Sequence, residues 1–261
     1  MSRNLTLAND VLLLGAGNLA TSLAVALVEA QVGLVGVWSR TKDAARELGE
    51  RVGSFYSCNM NDFSQPSIVI ISVADAALAQ VASQAAKLFP DALIVHTAGS
   101  ISIDALREAG CKRCGVFYPM QTFSKVRIVN YKTVSIFVEG CDAEALMQLR
   151  TLAQKLGSKV YDATSEQRRY LHLAAVFACN FPNALYAMSA LLLEKNGLPF
   201  DAMLPLIDEA AAKVHSLHPR DAQTGPARRG DEVVMNSQRS LLDDELLPIY
   251  NIISDYIAKN R

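Results

Sequence analysis

The sequence predicts an α/β chain with two parts, a doubly wound parallel sheet over residues 1–162 and an all-helical domain over residues 163–261. Three observations predict it. Short apolar runs alternate with Ala/Leu-rich helical patterns through the first half, as when crossover helices cover both faces of a mostly parallel sheet. After Val160 no strand pattern recurs and long helical periodicities take over. The length of 261 residues suits two ordinary domains.

Taken in order, the strands are read at Val11–Leu14, Leu34–Trp38, Ile68–Ser72, Leu93–His96, Gly115–Phe117 and Thr133–Val138. Between and after them, helices are read at Leu19–Gln31, Ala44–Arg51, Ala76–Leu88, Ile103–Ala109 and Ala143–Leu156. The second half opens with one long apolar helix, Ser165–Lys195, stopped by Asn196-Gly197. Pro199 and Asp201 open a helix running to about Leu217. Pro219–Gly230 is rich in turn residues. Asp231–Leu241 and Glu245–Ala258 read as helices again.

Composition excludes several classes. A net charge of -1 advertises no basic surface for nucleic acid. The apolar run at Val11–Leu14 is too short for a signal-peptide core. The longest apolar stretch, around Leu171–Leu193, is broken by Asn180, Pro182 and Asn183, and reads as a buried helix rather than a membrane span. A cytoplasmic location is therefore expected. The five cysteines follow no disulfide spacing and are expected to be reduced. Cys111 and Cys114 form a lone C-x-x-C that leads into a strand, so neither zinc nor thioredoxin-like chemistry is expected there.

The first strand runs into Gly15-Ala16-Gly17-Asn18-Leu19-Ala20, a G-x-G-x-x-A between a strand and a helix. Gly15 permits the tight turn, Gly17 lets a pyrophosphate approach the backbone, and Ala20 allows close helix–strand packing. The helix N-terminus offers free N–H groups to phosphate. This is the dinucleotide-binding fingerprint of a Rossmann domain. Cofactor preference is set at the tip of the second strand, which reads Val37-Trp38-Ser39-Arg40-Thr41-Lys42. No acid stands there to hold a ribose 2′-OH. Ser39, Arg40 and Thr41 suit a 2′-phosphate, so NADP(H) is expected in preference to NAD. Two further strand ends should flank the cofactor, Ser72-Val73-Ala74-Asp75 and His96-Thr97-Ala98-Gly99-Ser100. His96 ends its strand and reads as a satisfied core histidine.

Gly15–Ala20 followed by Ser39-Arg40-Thr41 resembles the NADP-dependent group that includes pyrroline-5-carboxylate reductase, the β-hydroxyacid dehydrogenases and the deazaflavin-dependent NADP oxidoreductases. Three later segments resemble one family more closely. They are Phe117-Tyr118-Pro119-Met120-Gln121-Thr122-Phe123-Ser124, His172–Asn180 and Thr224–Asp231. That family joins a Rossmann-like domain to a helical domain of the DUF2520 type, and its members are assigned as NADP oxidoreductases. The resemblance implies a helical domain like that of 6-phosphogluconate dehydrogenase, and a homodimer. It implies no known substrate. Where the family has His before the Pro-x-x-T-F segment, this chain has Tyr118.

The β-hydroxyacid dehydrogenases use a lysine on the first long helix of the second domain. Here Ser165–Lys195 has no interior lysine; its polar residues include His172, Asn180 and Asn183. At about 100° per residue these three share one side of the helix. His172 is a candidate acid or base. Asn180 is a candidate for orienting a substrate oxygen or the nicotinamide amide, and Pro182 for kinking the helix beside them. Tyr118, Asn183, Thr224 and Arg229 are candidate substrate contacts, with Arg229 suited to a carboxylate and Asp231 to capping a helix. His215 and His218 lack the further ligands a metal would need. The expected activity is NADP(H)-dependent hydride transfer to or from a small carbonyl/hydroxy or imine/amine substrate. A non-catalytic NADP(H)-binding sensor and a deazaflavin-linked oxidoreductase remain open.

Overall fold

The structure is a computed structural model, and it describes residues 10–260. Among the described residues the chain forms two compact units, one ending at Cys179 and the other beginning at Asn180.

The first unit is built on an eight-stranded sheet. Its strands are β1 (Val11–Leu14), β2 (Leu34–Trp38), β3 (Tyr56–Ser57), β4 (Ile68–Ile71), β5 (Leu93–His96), β6 (Cys114–Met120), β7 (Ser135–Gly140) and β8 (Lys159–Asp162). The order across the sheet is β3-β2-β1-β4-β5-β6-β7-β8. All neighbours are parallel except β6 and β7. Crossover helices are α1 (Asn18–Glu29), α2 (Lys42–Val52), α3 (Asp75–Leu88), α4 (Asp104–Glu108) and α5 (Ala143–Lys155). No α-helix separates β6 from β7, and a return without a crossover helix permits the antiparallel pairing.

The sheet is buried on both faces, and the period of two shows which residue goes where. Val11 and Leu13 enter one core with Leu23 and Leu27 of α1 and Leu149 of α5. Leu12 and Leu14 enter the other with Leu78 and Val81 of α3. That explains why the strands read as unbroken apolar runs. Two strands escaped the sequence reading. The two residues of β3 are too few to show a pattern. Lys-Val-Tyr-Asp in β8 is an edge strand with charged ends.

The predicted boundary at 162/163 differs from the division at Cys179/Asn180. Helix α6 (Ser165–Ala175) folds with the sheet, because its Arg168 is buried there. The expected helix 165–195 exists, but it is not uniform. A π-helical turn at Val176–Asn180 separates α6 from α7 (Phe181–Lys195). Pro182 offers no N–H to the preceding turn, and the wider turn absorbs that break.

The second unit contains α7, α8 (Leu204–Lys213), the short α9 (Pro219–Ala222) and α10 (Pro226–Arg229), α11 (Glu232–Arg239) and α12 (Leu246–Lys259). The stretch 219–230, read as turns, carries two of these one-turn helices. The expectation that the long apolar helix is buried is corrected: α7 has no buried residue. Its apolar side chains exceed what the second unit of a single chain covers.

Candidate functional site

The cleft lies where the strand order reverses. β2 stands on one side of β1 and β4 on the other, and the crevice opens beyond their carboxyl ends. Gly15 leaves β1 with φ 132°, and a Cβ there would sit 2.0 Å from the Ser72 carbonyl oxygen. Only glycine fits both the conformation and the contact. Gly15 N–H donates to Trp38 O at 2.8 Å and Ser72 N–H to Leu14 O at 2.7 Å, which locks the three strand ends together. Helix α1 then begins at Asn18 with Gly17 as its N-cap, and it has neither a side-chain cap nor an acid in its first turn. Its free N–H groups and dipole are thus left for an anion. Ala20 is fully buried against the sheet.

A cavity of about 330 Å³ adjoins this turn. Gly15, Ser39, Arg40, Thr41, Val73 and Ala74, all expected from the sequence, line it. So do Trp38 and, from α3, Ala77, Gln80, Val81 and Gln84. Among the described residues no carboxylate lines it. Ala16, Gly17, Asn18 and Leu19 form the turn and first residues of α1 beside it, and Ser72 is the β4 end against which Gly15 turns. The α3 residues were missed; a helix face at spacings of three and four was legible, but not its direction.

A second cluster forms at the ends of β5 and β6. Val116 pairs with His96, the last residue of β5, so β6 continues past its neighbour and carries Tyr118 beyond it. Tyr118 Oη lies 3.1 Å from Nδ1 of His172 on α6. Both rings close on Gly99: a Cβ there would lie 2.7 Å from His172 Nδ1 and 2.9 Å from Tyr118 Cζ. Gly99 is therefore required for space. Tyr118 is 7% exposed, and burial raises its phenol above the usual range, keeping it protonated. His172 is on the exposed side of the pair. Thr97 is buried, with its N–H bonded to Ile71 O at 3.1 Å, and it braces the base of this loop.

Sequence reading missed the residue that holds His172 in place. Arg168, one helical turn earlier, is 1% exposed. It donates to Glu139 Oε2 of β7 at 2.6 Å, to Ala98 O at 3.3 Å, to Ile101 O, and to Ser165 Oγ at 3.2 Å. Ser165 Oγ in turn donates to Glu139 at 2.7 Å and accepts from Ile103 N–H at 3.0 Å. These bonds tie the first turn of α6 to β7 and to the loop that carries Gly99. Residues four apart share a helix face, so His172 is directed to that same loop.

Other candidates stand elsewhere. Asn180 closes the π-helical turn and Asn183 lies in the first turn of α7, both exposed and both in the second unit. The count at about 100° per residue that sets them on one side with His172 runs through this π-turn, which shifts the face by about one residue. Thr224 lines an apolar groove of about 410 Å³ within the second unit, with residues of α7 and α12. Arg229 is exposed at the end of α10, and Asp231 Oδ1 caps α11 by accepting from Val234 N–H at 3.2 Å. His218 caps α9, accepting from Arg220 N–H at 3.3 Å. Among the described residues no group of three or more His, Cys, Asp or Glu could hold a metal. All five cysteines are free; burial pushes Cys111 up to about 11 and Cys114 up to about 12, so both are unreactive thiols.

Residues 10–99 match the family described as NADP oxidoreductase coenzyme F420-dependent, and residues 134–257 match the domain of unknown function DUF2520. A crystal structure from Bacteroides fragilis, of a candidate NADP oxidoreductase, is 45% identical over 97% of this chain and 99% of that one, with a TM-score of 0.91. A protein from Thermotoga maritima is 24% identical over 96% and 98%, with a TM-score of 0.79. A reductive aminase from Aspergillus terreus, in complex with NADPH and ethyl-5-oxohexanoate, is 18% identical over 97% and 95%, with a TM-score of 0.71. The last two share the fold. No curated protein matches the chain.

His96 sits under the second cluster and gives the site a pH signature. It is fully buried, and its Nδ1 accepts from Ala98 N–H at 3.2 Å. Burial first, then the nearby Arg168 cation, lowers it from 6.5 to about 4. The unfolded chain therefore takes up a proton below about pH 6.5 that the folded chain refuses. Stability is full above that pH and is lost as pH falls toward 4, by roughly 3 kcal/mol in total. Urea unfolding between pH 7 and 4.5 should show this loss, and His96→Gln should flatten it. An equally steep loss in the variant would assign the acid sensitivity to other groups.

Proposed function

We propose, from the premise that this chain belongs to the family that joins an NADP oxidoreductase domain to a DUF2520 domain, that it is an NADP(H)-dependent oxidoreductase acting on a small carbonyl/hydroxy or imine/amine substrate. One observation carries the reading. The cleft beside Gly15 is lined by Ser39, Arg40 and Thr41 and, among the described residues, by no carboxylate. A guanidinium with two neighbouring hydroxyls suits a 2′-phosphate, and the missing acid removes the usual partner of a free 2′-OH. The turn at Gly15–Gly17 and the uncapped start of α1 suit the pyrophosphate.

The nicotinamide, when bound, supplies the hydride. The chain's own task is to hold the substrate and to manage one proton. Tyr118 and His172 meet that need at the ends of β5 and β6. His172 is the proposed acid or base, and Tyr118 a substrate contact hydrogen-bonded to it. Thr224, Arg229, Asn180 and Asn183 remain proposed contacts supplied by the second unit, with Asn180 orienting a substrate oxygen or the nicotinamide amide. We place the protein in the cytoplasm and read it as a homodimer. The apolar α7, with no buried residue, supports a second copy as its cover.

Calorimetric titration with NADPH and NADH tests the cofactor. NADPH should bind at least 10-fold more tightly, and Arg40→Ala should abolish the difference, in line with loss of a charge-assisted bond of roughly 1.5–3 kcal/mol. Binding of neither nucleotide would remove the proposal.

For the chemistry, a panel of small ketones and cyclic imines is offered with NADPH. His172→Ala should lower turnover by about 10²–10⁴-fold while leaving NADPH affinity unchanged. Full turnover in the variant would clear His172 of that role. Tight NADPH binding with no turnover of any panel member favours a sensor.

Sedimentation equilibrium tests the assembly. A dimer is expected at micromolar concentration, and the exposed Leu191, changed to Glu, should weaken it. A monomeric wild-type chain would overturn the homodimer.

A further inference from the structure

We infer that Gln80 and Gln84 read the amino edge of the purine base of the bound dinucleotide, making the cleft selective for adenine rather than merely receptive to a flat ring. The inference rests on the cofactor reading above and adds a base-recognition subsite to it.

Helix α3 presents Ala77, Gln80, Val81 and Gln84 to the cavity of about 330 Å³. These positions, spaced three and four apart, form one face of the helix. Ala77 and Val81 are small and apolar and give a ring somewhere to lie. Gln80 and Gln84 stand one turn apart, exposed. Neither carboxamide has a hydrogen-bond partner among the described residues.

The other polar groups around the cavity have separate work. Trp38 Nε1 donates to Cys58 O at 3.0 Å and is not available to a ligand. Ser39, Arg40 and Thr41 cluster at the tip of β2, where the phosphate and ribose belong. A phosphate and a sugar carry no information about the base. Distinguishing one base from another needs paired donors and acceptors on a flat group, and a carboxamide provides one of each. Adenine presents an amino N–H beside a ring nitrogen, which is the complement of a glutamine side chain. The glutamine pair is therefore the part of the lining suited to reading a base.

The probe is 1,N6-etheno-NADP+, whose two-carbon bridge removes the N6 donors and the N1 acceptor of adenine. Affinities for it and for NADP+ are measured on the full chain by calorimetry. Wild type should prefer NADP+ by about 10-fold, the discrimination typical of one good carboxamide–adenine pair. The double variant Gln80→Leu, Gln84→Leu should lose that preference, through weaker NADP+ binding and nearly unchanged binding of the etheno form. Leucine is a good helix former, and both positions are exposed, so α3 should persist; circular dichroism and retained binding of the etheno form verify it. Equal affinities in wild type, or a preference that survives in the double variant, would overturn the inference while leaving the cofactor reading intact. Failure of wild type to bind NADP+ at all would overturn both.

Discussion

A guanidinium taken out of water must be paired on every side or it destabilises the fold, and Arg168 meets that condition with four polar contacts drawn from three segments. Glu139 on β7 supplies the opposite charge, and the carbonyls of Ala98 and Ile101 and the hydroxyl of Ser165 take the remaining N–H groups. Breaking such a pair leaves one charge uncompensated, which costs far more than the pair contributes. The consequence is positional. A buried cation with fixed acceptors holds α6 against the loop after β5, and that loop carries Gly99. The approach of His172 to Tyr118 follows from this anchoring, since the two rings meet over Gly99.

The second constraint is the reversal of strand order at β1. Because crossovers leave β1 in opposite directions, no helix covers the carboxyl ends of β1 and β4, and a crevice stays open there. Gly15 turns within van der Waals reach of Ser72 to bound it. The cofactor cleft and the Tyr118–His172 cluster thus arise from the same edge of the same sheet. The cleft and the Tyr118–His172 pair proposed to manage the proton lie along that edge, apart from the core, whose two faces are filled by the alternating side chains of each strand.

Much of this was legible because it depends on local pattern. The glycine turn, the basic tip of β2 and the four-residue strands each declare themselves within a few residues. The same holds for the helix start at Ser165, where Thr164 and Gln167 form a capping box. What stayed hidden depends on partners distant in sequence. Arg168 looks like an ordinary helix-surface cation until Glu139 and Ala98 are placed against it. Gln80 and Gln84 look like solvent-facing residues until α3 is set beside β2. The π-turn was missed for a different reason. A count at a constant angle assumes an unbroken helix, and Pro182 removes the N–H on which that regularity depends. The phase of Asn180 and Asn183 relative to His172 is then shifted by about one residue from the one the count gives.

The contrast between the two units bears on how the chain works. The first unit satisfies itself: its strands are covered on both faces and its buried cation is paired. The second does not. α7 is rich in apolar side chains over its 15 residues and buries none of them, and the apolar groove in the same unit stays open. A helix of that composition left in water would make the second unit marginal, because an isolated helix gains most of its stability from packing. Every residue lining the cleft beside Gly15 belongs to the first unit, so nucleotide binding should survive conditions that dissociate the proposed homodimer. Turnover is different if Asn180, Asn183, Thr224 or Arg229 contributes to the substrate site, since all four belong to the unit whose apolar surface still needs a cover. Cofactor affinity and catalytic rate should then part company on dilution, the first holding constant while the second falls with the fraction of chains assembled.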